Sequence, residues 1–147
     1  MPLPTPDDMA DGIGTRWAAA SINGIIPKAR VYVGRVAEGV AWPNARLKVV
    51  EESRELNSGK LVLLKYRVTI ECYVITAASA KSTRKALDAA FAGSNSDPSA
   101  ALTCEDAAVI WSRVQPGGSS ETTGERINGE DIVKVTAVYL ILVEAQR

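Results

Sequence analysis

Two runs of aliphatic and β-branched residues constrain this chain more than any other feature. One spans 61–75 (LVLLKYRVTIECYVI) and the other 132–143 (IVKVTAVYLILV). Both exceed the usual strand of roughly 5–6 residues, and both alternate at the period of two that marks a β-strand. In the first, Leu64, Tyr66, Val68, Ile70, Cys72 and Val74 share one face, while Lys65, Arg67, Thr69, Glu71 and Tyr73 share the other. In the second, Val133, Val135, Ala137, Tyr139, Ile141 and Val143 share a face. Its opposite side starts polar at Lys134 and Thr136, then turns apolar at Val138, Leu140 and Leu142. A strand apolar on both sides is buried on both sides. A helix or a neighbouring subunit is therefore expected to cover the second face.

The remaining elements follow from punctuation and periodicity. Residues 1–6 (MPLPTP) read as an extended, proline-spaced arm. Met9, Ile13, Trp17 and Ala20 have helical spacing, which predicts a helix over 7–22 with Asp7 or Asp8 as its N-cap. Gly12 and Gly14 weaken that helix by about 1 kcal/mol each relative to Ala. Strands are expected over 30–36 and 45–52, with a turn-rich connection over 38–44 containing Trp42-Pro43. The Asn57-Ser58-Gly59 sequence is good turn chemistry and joins the second strand to the long third one. An Ala-rich stretch over 77–92 predicts a second helix, with Ser79 a candidate cap and Gly93 the stop. A fourth strand covers 107–115 and contains Trp111. Residues 116–131 are polar and glycine-rich, and are expected to form a long flexible loop or hairpin tip. The order is α-β-β-β-α-β-β: an α+β fold with a mainly antiparallel sheet of about five strands and two helices packed on it. Residues 7–147 are expected to form a single domain, and no internal repeat is visible.

Reactive chemistry is scarce. The chain has no His, so Ser-His and Cys-His catalysis are excluded. Cys72 and Cys104 are far apart in sequence and make no recognisable zinc site or disulfide framework. Cys72 falls on the expected core face. The Gly12-Ile13-Gly14 fragment precedes a strand and lacks a third glycine, and Lys81-Ser82-Thr83 lacks the glycines of a phosphate loop. Carboxylates cluster at Glu51, Glu52 and Glu55, and again at Glu121, Glu125, Glu130 and Asp131, but both groups read as solvated hairpin ends and loops. With 17 Lys plus Arg against 17 Asp plus Glu, the formal charge is zero. That balance argues against nonspecific nucleic-acid binding by the bulk surface and removes one barrier to self-association. The N-terminal residues carry neither the basic nor the apolar region of a signal peptide, and no uncharged run is long enough for a membrane-spanning helix. A chain that invests in a large sheet without reactive groups is expected to be an assembly part, with no catalytic, cofactor-binding or metal-binding residues.

One arrangement resembles a known family. An N-terminal helix is followed by Ile26-Pro27-Lys28-Ala29-Arg30-Val31-Tyr32 leading into a strand. Then come Trp42-Pro43, a second strand and a long hairpin arm. This resembles the tail terminator, or tail completion, proteins of tailed bacteriophages. In that group an Arg-(Ile/Val)-Tyr segment opens the sheet and an aromatic-proline pair precedes the second strand. The later helix, the strand with Trp111 and the final strand fit as well, so the likeness covers most of the chain. The 116–131 segment aligns with nothing characteristic of the group.

The resemblance implies a homo-oligomeric ring, usually a hexamer, on the last ring of the tail tube. Such a ring stops tube growth, receives the head-tail connector protein, and passes DNA through its lumen without sequence-specific binding. It implies no enzymatic activity, no cofactor and no membrane, with assembly in the host cytoplasm and residence in the tail or neck of the virion. On this reading Arg46, Lys48, Lys65, Arg67, Glu71 and Lys134, with Leu140 and Leu142, are expected on a subunit-facing or lumen-facing side of the sheet. The plainer reading of those charges is cross-strand pairing with Glu51, Glu52 and Glu71. Two alternatives stand beside the terminator. One is another neck adaptor or a tail-tube subunit. The other is a small-molecule-binding or enzymatic α+β domain using the Glu51/Glu52 or Glu121/Glu125 carboxylates near Trp42 or Trp111.

Overall fold

A computed structural model describes residues 3–34, 42–56, 59–118, 120–127 and 130–146, with the backbone alone for 77, 121–127, 130 and 131. The elements run α1 (Pro6–Ala19), β1 (Val31–Val33), β2 (Asn44–Leu56), β3 (Leu61–Val74), α2 (Ala77–Phe91), β4 (Ala107–Val114), β5 (Ser120–Ile127) and β6 (Glu130–Gln146). Short 3-10 turns lie at Ser21–Gly24 and Lys28–Arg30. The fold is α+β, a mostly antiparallel sheet with both helices on it.

The sheet is built around β6. Its order is β1-β2-β3-β6-β4, and β5 also pairs with β6. β3 runs antiparallel along one edge of β6, from Val74↔Val133 to Leu61↔Gln146. The other edge is shared in series. β5 pairs with its first part, from Ile127↔Glu130 to Ser120↔Thr136, and β4 takes over from Val114↔Tyr139 to Ala107↔Ala145. β1 adds to β2 in parallel through Val31↔Ala45 and Val33↔Leu47.

One face of the sheet carries the core. Leu64, Tyr66, Val68, Ile70, Cys72 and Val74 of β3 are all buried, as are Val133, Val135, Ala137, Tyr139, Ile141 and Val143 of β6. Met9, Ile13 and Trp17 of α1 and Ala80, Leu87 and Phe91 of α2 close over them. The Phe91 ring stands 5.9 Å from that of Trp17 and 5.8 Å from that of Tyr139, so aromatic contacts tie both helices to the central strand. The Trp17 indole N–H donates to the Ile26 carbonyl at 2.8 Å, which folds the chain after α1 back onto the helix.

Local sequence explains the helix starts, and three expectations about the helices are corrected. α1 is capped by Thr5 rather than by Asp7 or Asp8. The Thr5 N–H donates to the Asp8 carboxylate at 2.7 Å and the Asp8 N–H donates to the Thr5 hydroxyl at 3.3 Å, a reciprocal capping box with Pro6 as the first helical residue. α1 stops at Ala19, and the expected last turn is the separate 3-10 segment Ser21–Gly24. α2 is capped by Thr76, whose hydroxyl accepts from the Ser79 N–H at 3.0 Å, so Ser79 is the capped residue and not the cap. In the expected N-terminal arm, Pro4 is buried and its carbonyl accepts a 2.9 Å bond from the Tyr66 hydroxyl.

The 116–131 segment departs furthest from expectation. In place of a long loop, the chain makes the tight turn at Pro116 and Gly117 and forms β5. It pairs with β6 although its polar sequence, SETTGERI, gives no apolar signal. Of the expected turns, 38–41 and 57–58 lie outside the described residues. Gly59 has φ +78°, the left-handed conformation that favours glycine.

Candidate functional site

Opposite the helices the strands present a second sheet face. Because side chains alternate along each strand, the register assembles this face row by row. Arg46 lies beside Glu71, and Glu71 beside Thr136. Lys48, Thr69 and Val138 make the next row, then Val50, Arg67, Leu140 and Arg113. Lys65, Leu142 and Trp111 follow, and Glu144 lies beyond them between Leu63 and Ala108. All eight residues singled out in the sequence therefore fall on one face: Arg46, Lys48, Lys65, Arg67, Glu71, Lys134, Leu140 and Leu142.

Two of the face's carboxylates are paired. Glu71 accepts Lys134 diagonally across β3 and β6 at 2.6 Å. Glu52, at the bulge of β2, accepts Arg67 at 2.9 Å. Both pairs are partly solvated, and exposed pairs of this kind contribute about 0–1 kcal/mol. Lys48, Lys65 and Arg113 have no carboxylate partner among the described residues. Lys65 and Arg113 instead approach the indole of Trp111, at 6.0 Å and 4.4 Å from the ring centroid. The Arg46 Nε is buried with no hydrogen-bond partner among the described residues.

The cover of this face is partial. Val138 is buried, and the turn that follows β4 passes over it: a Cβ on Gly118 would lie 2.9 Å from the Val138 Cβ. Leu140 and Leu142 are only half-buried, and Val50 is exposed.

Trp111 and Arg113 belong to this surface although the sequence did not assign them to it. β4 carries a register shift between Val109 and Trp111 that changes which side chains face which way. Strict alternation through the strand hides that change, and Ile110 is left exposed at the irregularity.

Of the carboxylates in the alternative sites, Glu51 and Glu52 lie among the described side chains, and each is held by an arginine. Glu51 is bound by Arg54 at 2.8 Å on the hairpin surface, and Glu52 is held by Arg67. The carboxylates of Glu121, Glu125, Glu130 and Asp131 lie outside the described side chains. Trp42 packs against Tyr73 in a tilted arrangement, with centroids 5.8 Å apart. Among the described residues no group of His, Cys, Asp or Glu is arranged to hold a metal ion. Cys72 and Cys104 are both free and buried. Burial pushes the Cys72 thiol far up, which disfavours the reactive thiolate. Burial, with Asp8, Glu105 and Asp106 nearby, pushes Cys104 up to about 11.

A second charged surface lies on the helix side. Asp8 and Asp11 of α1 and Glu105 of the loop before β4 line a hollow of about 280 Å³ together with Gly12, Thr15, Thr103 and Cys104. Gly12 makes this docking possible, since a Cβ there would sit 1.8 Å from the Thr103 carbonyl oxygen. No helix in the described residues is long and apolar enough to cross a membrane.

Comparisons with known proteins bear on the fold. No protein-family model matches the chain, and no curated protein matches it. A solved chain from the virion of a native gene transfer agent particle superposes with a TM-score of 0.65 at 14% sequence identity, covering 90% of this chain and 92% of that one. At that identity the likeness establishes a shared fold over nearly the whole length of both chains. A second solved chain, 16% identical and covering 90% of this chain and 94% of its own, has a TM-score of 0.44 and carries no argument.

Proposed function

We propose that this chain is a structural, non-enzymatic subunit of a phage-like virion, specifically a tail terminator. In this role copies form a ring, a hexamer in the simplest reading, that caps the tail tube and receives the head-tail connector protein. DNA crosses its lumen without sequence-specific contacts, no cofactor takes part, and the ring assembles in the host cytoplasm before joining the virion. The observation that carries the reading is the near full-length fold likeness to a chain of a gene transfer agent virion. Its support is twofold. The family resemblance in sequence rests on Arg30-Val31-Tyr32, which runs into β1, and on Trp42-Pro43, directly before β2. The open sheet face also carries Trp111, Arg67, Arg113 and half-buried leucines, and aromatic residues and Arg are enriched where protein surfaces meet.

The test is native mass combined with electron microscopy of the isolated chain and of chain mixed with tail tubes. A terminator forms a discrete ring, alone or on the tube end. Long cylinders from the isolated chain indicate a tube subunit, and a species that stays at the monomer mass of 15.6 kDa in both conditions overturns the reading. Arg67→Glu reverses a charge in the middle of the open face and is expected to impair ring formation and tail joining.

A further inference from the structure

We propose that the ring is closed by charge, with the basic open sheet face of one copy seated on the acidic corner of the next. This inference rests on the terminator reading and adds which two surfaces meet. A closed ring of identical subunits needs two different, complementary patches on each copy. This chain has zero formal charge overall, yet it leaves cations without carboxylate partners on the open sheet face and carboxylates without cation partners at one helix-side corner, among the described residues.

On the sheet side Lys48, Lys65 and Arg113 have no carboxylate partner among the described residues: Glu52 and Glu71 are taken by Arg67 and Lys134, and Glu144 lies at the far end of the face, between Leu63 and Ala108. On the helix side Asp11 and Glu105 are exposed, have no cation partner among the described residues, and line one hollow with Asp8. The two patches lie on opposite layers of the same molecule, so a single copy cannot join them. A neighbour placed head to tail can. The hollow offers carboxylates around an opening of about 280 Å³, which suits the entry of one long basic side chain. Trp111, Leu140 and Leu142 lie among the cations and supply apolar contact that a nucleic-acid backbone would not use. Protein is therefore the favoured occupant, and a second copy carries the matching charge.

The experiment uses charge reversal on the full chain. One variant carries Lys65→Glu and Arg113→Glu, a second carries Asp11→Lys and Glu105→Lys, and a third carries all four. Asp11, Glu105 and Arg113 are exposed and Lys65 is half-buried, and none of the four caps a helix or lies in the core, so circular dichroism should match the parent and thermal melts should fall only by the loss of the Lys65 and Arg113 contacts with Trp111. Each two-site variant is expected to assemble about a hundredfold more weakly or worse, as for opposed charges at an interface. The four-site variant should recover the ring, and so should an equal mixture of the two-site variants if the copy number is even. Rings that persist in either two-site variant overturn the inference and leave the terminator reading intact. If duplex DNA binding is lost in Lys65→Glu/Arg113→Glu while its ring persists, the face meets nucleic acid instead. A parent chain that is monomeric both alone and with tail tubes removes the terminator reading itself.

Discussion

Single residues show where chemistry overrides propensity. Gly12 in isolation only weakens a helix, by about 1 kcal/mol. In the fold it lets α1 touch the Thr103 backbone, a contact no local pattern announces. Gly12→Ala gains helix propensity but must move either α1 or the 103–106 segment. A net loss of about 1–3 kcal/mol is expected, read as a lower urea midpoint. Trp17→Phe keeps an aromatic ring beside Phe91 but strips the buried Ile26 carbonyl of its donor. That should cost about 1–3 kcal/mol in the same measurement. Buried acids set an alkaline limit: Cys72 and Tyr139 are pushed furthest up, by burial and, for Tyr139, also by its hydrogen bond to Asp88, while Cys104 and Tyr66 lie lower. Cys104 is raised from 9.0 to about 11, chiefly by burial and then by Asp8, Glu105 and Asp106. Tyr66 is raised from 10.0 to about 12, again chiefly by burial. In the unfolded chain both release their protons first, so above pH 9 the unfolded state holds fewer protons than the folded one. Stability is therefore complete below that pH and declines as pH rises through the two folded values. Cys104→Ala should flatten the first part of that decline and Tyr66→Phe the later part, in urea midpoints followed across the window.

At the scale of elements, burial periodicity was the readable signal. β3 and the greater part of β6 were legible because each buries every second side chain under the helices. β5 was not legible because its sequence, SETTGERI, is polar and lacks the apolar alternation that marks β3 and β6. The cap at Thr5 was hidden by flanking prolines that suggested an extended arm, although the Thr5-Pro6-Asp7-Asp8 spacing is compatible with a capping box. The eight face residues were legible from alternation alone, whereas Trp111 and Arg113 required the irregularity in β4, and the Asp8–Glu105 corner required a long-range contact. Thr76→Ala removes the α2 cap and should cost about 1 kcal/mol, seen as a lower melting temperature. Amide exchange should be slowest in β3 and the second half of β6, which are flanked by strands on both edges and covered by helices, and fastest in β1.

At the scale of the whole molecule, neutrality conceals polarity. Equal numbers of acids and bases give a formal charge of zero, but the open sheet face and the helix-side corner carry opposite signs. If copies associate through those surfaces, the assembly should be salt-sensitive, because at 1 M the screening length shrinks to about 3 Å. Native mass should fall as salt is raised, while the melting temperature of the single subunit stays nearly constant.

The placement of β6 also has a consequence during synthesis. It is the strand that both β3 and the β4–β5 pair lean on, yet it leaves the ribosome after every other part of the sheet. Until about its second half emerges, a nascent chain holds an α1–β3 portion and a β4–β5 portion with nothing between them, and the bare margin of β3 is a template for the wrong partner. Completion of the fold is thereby coupled to the end of translation of this segment, so a ribosome stalled within 116–131 should yield a chain that aggregates or recruits chaperones rather than a smaller folded unit.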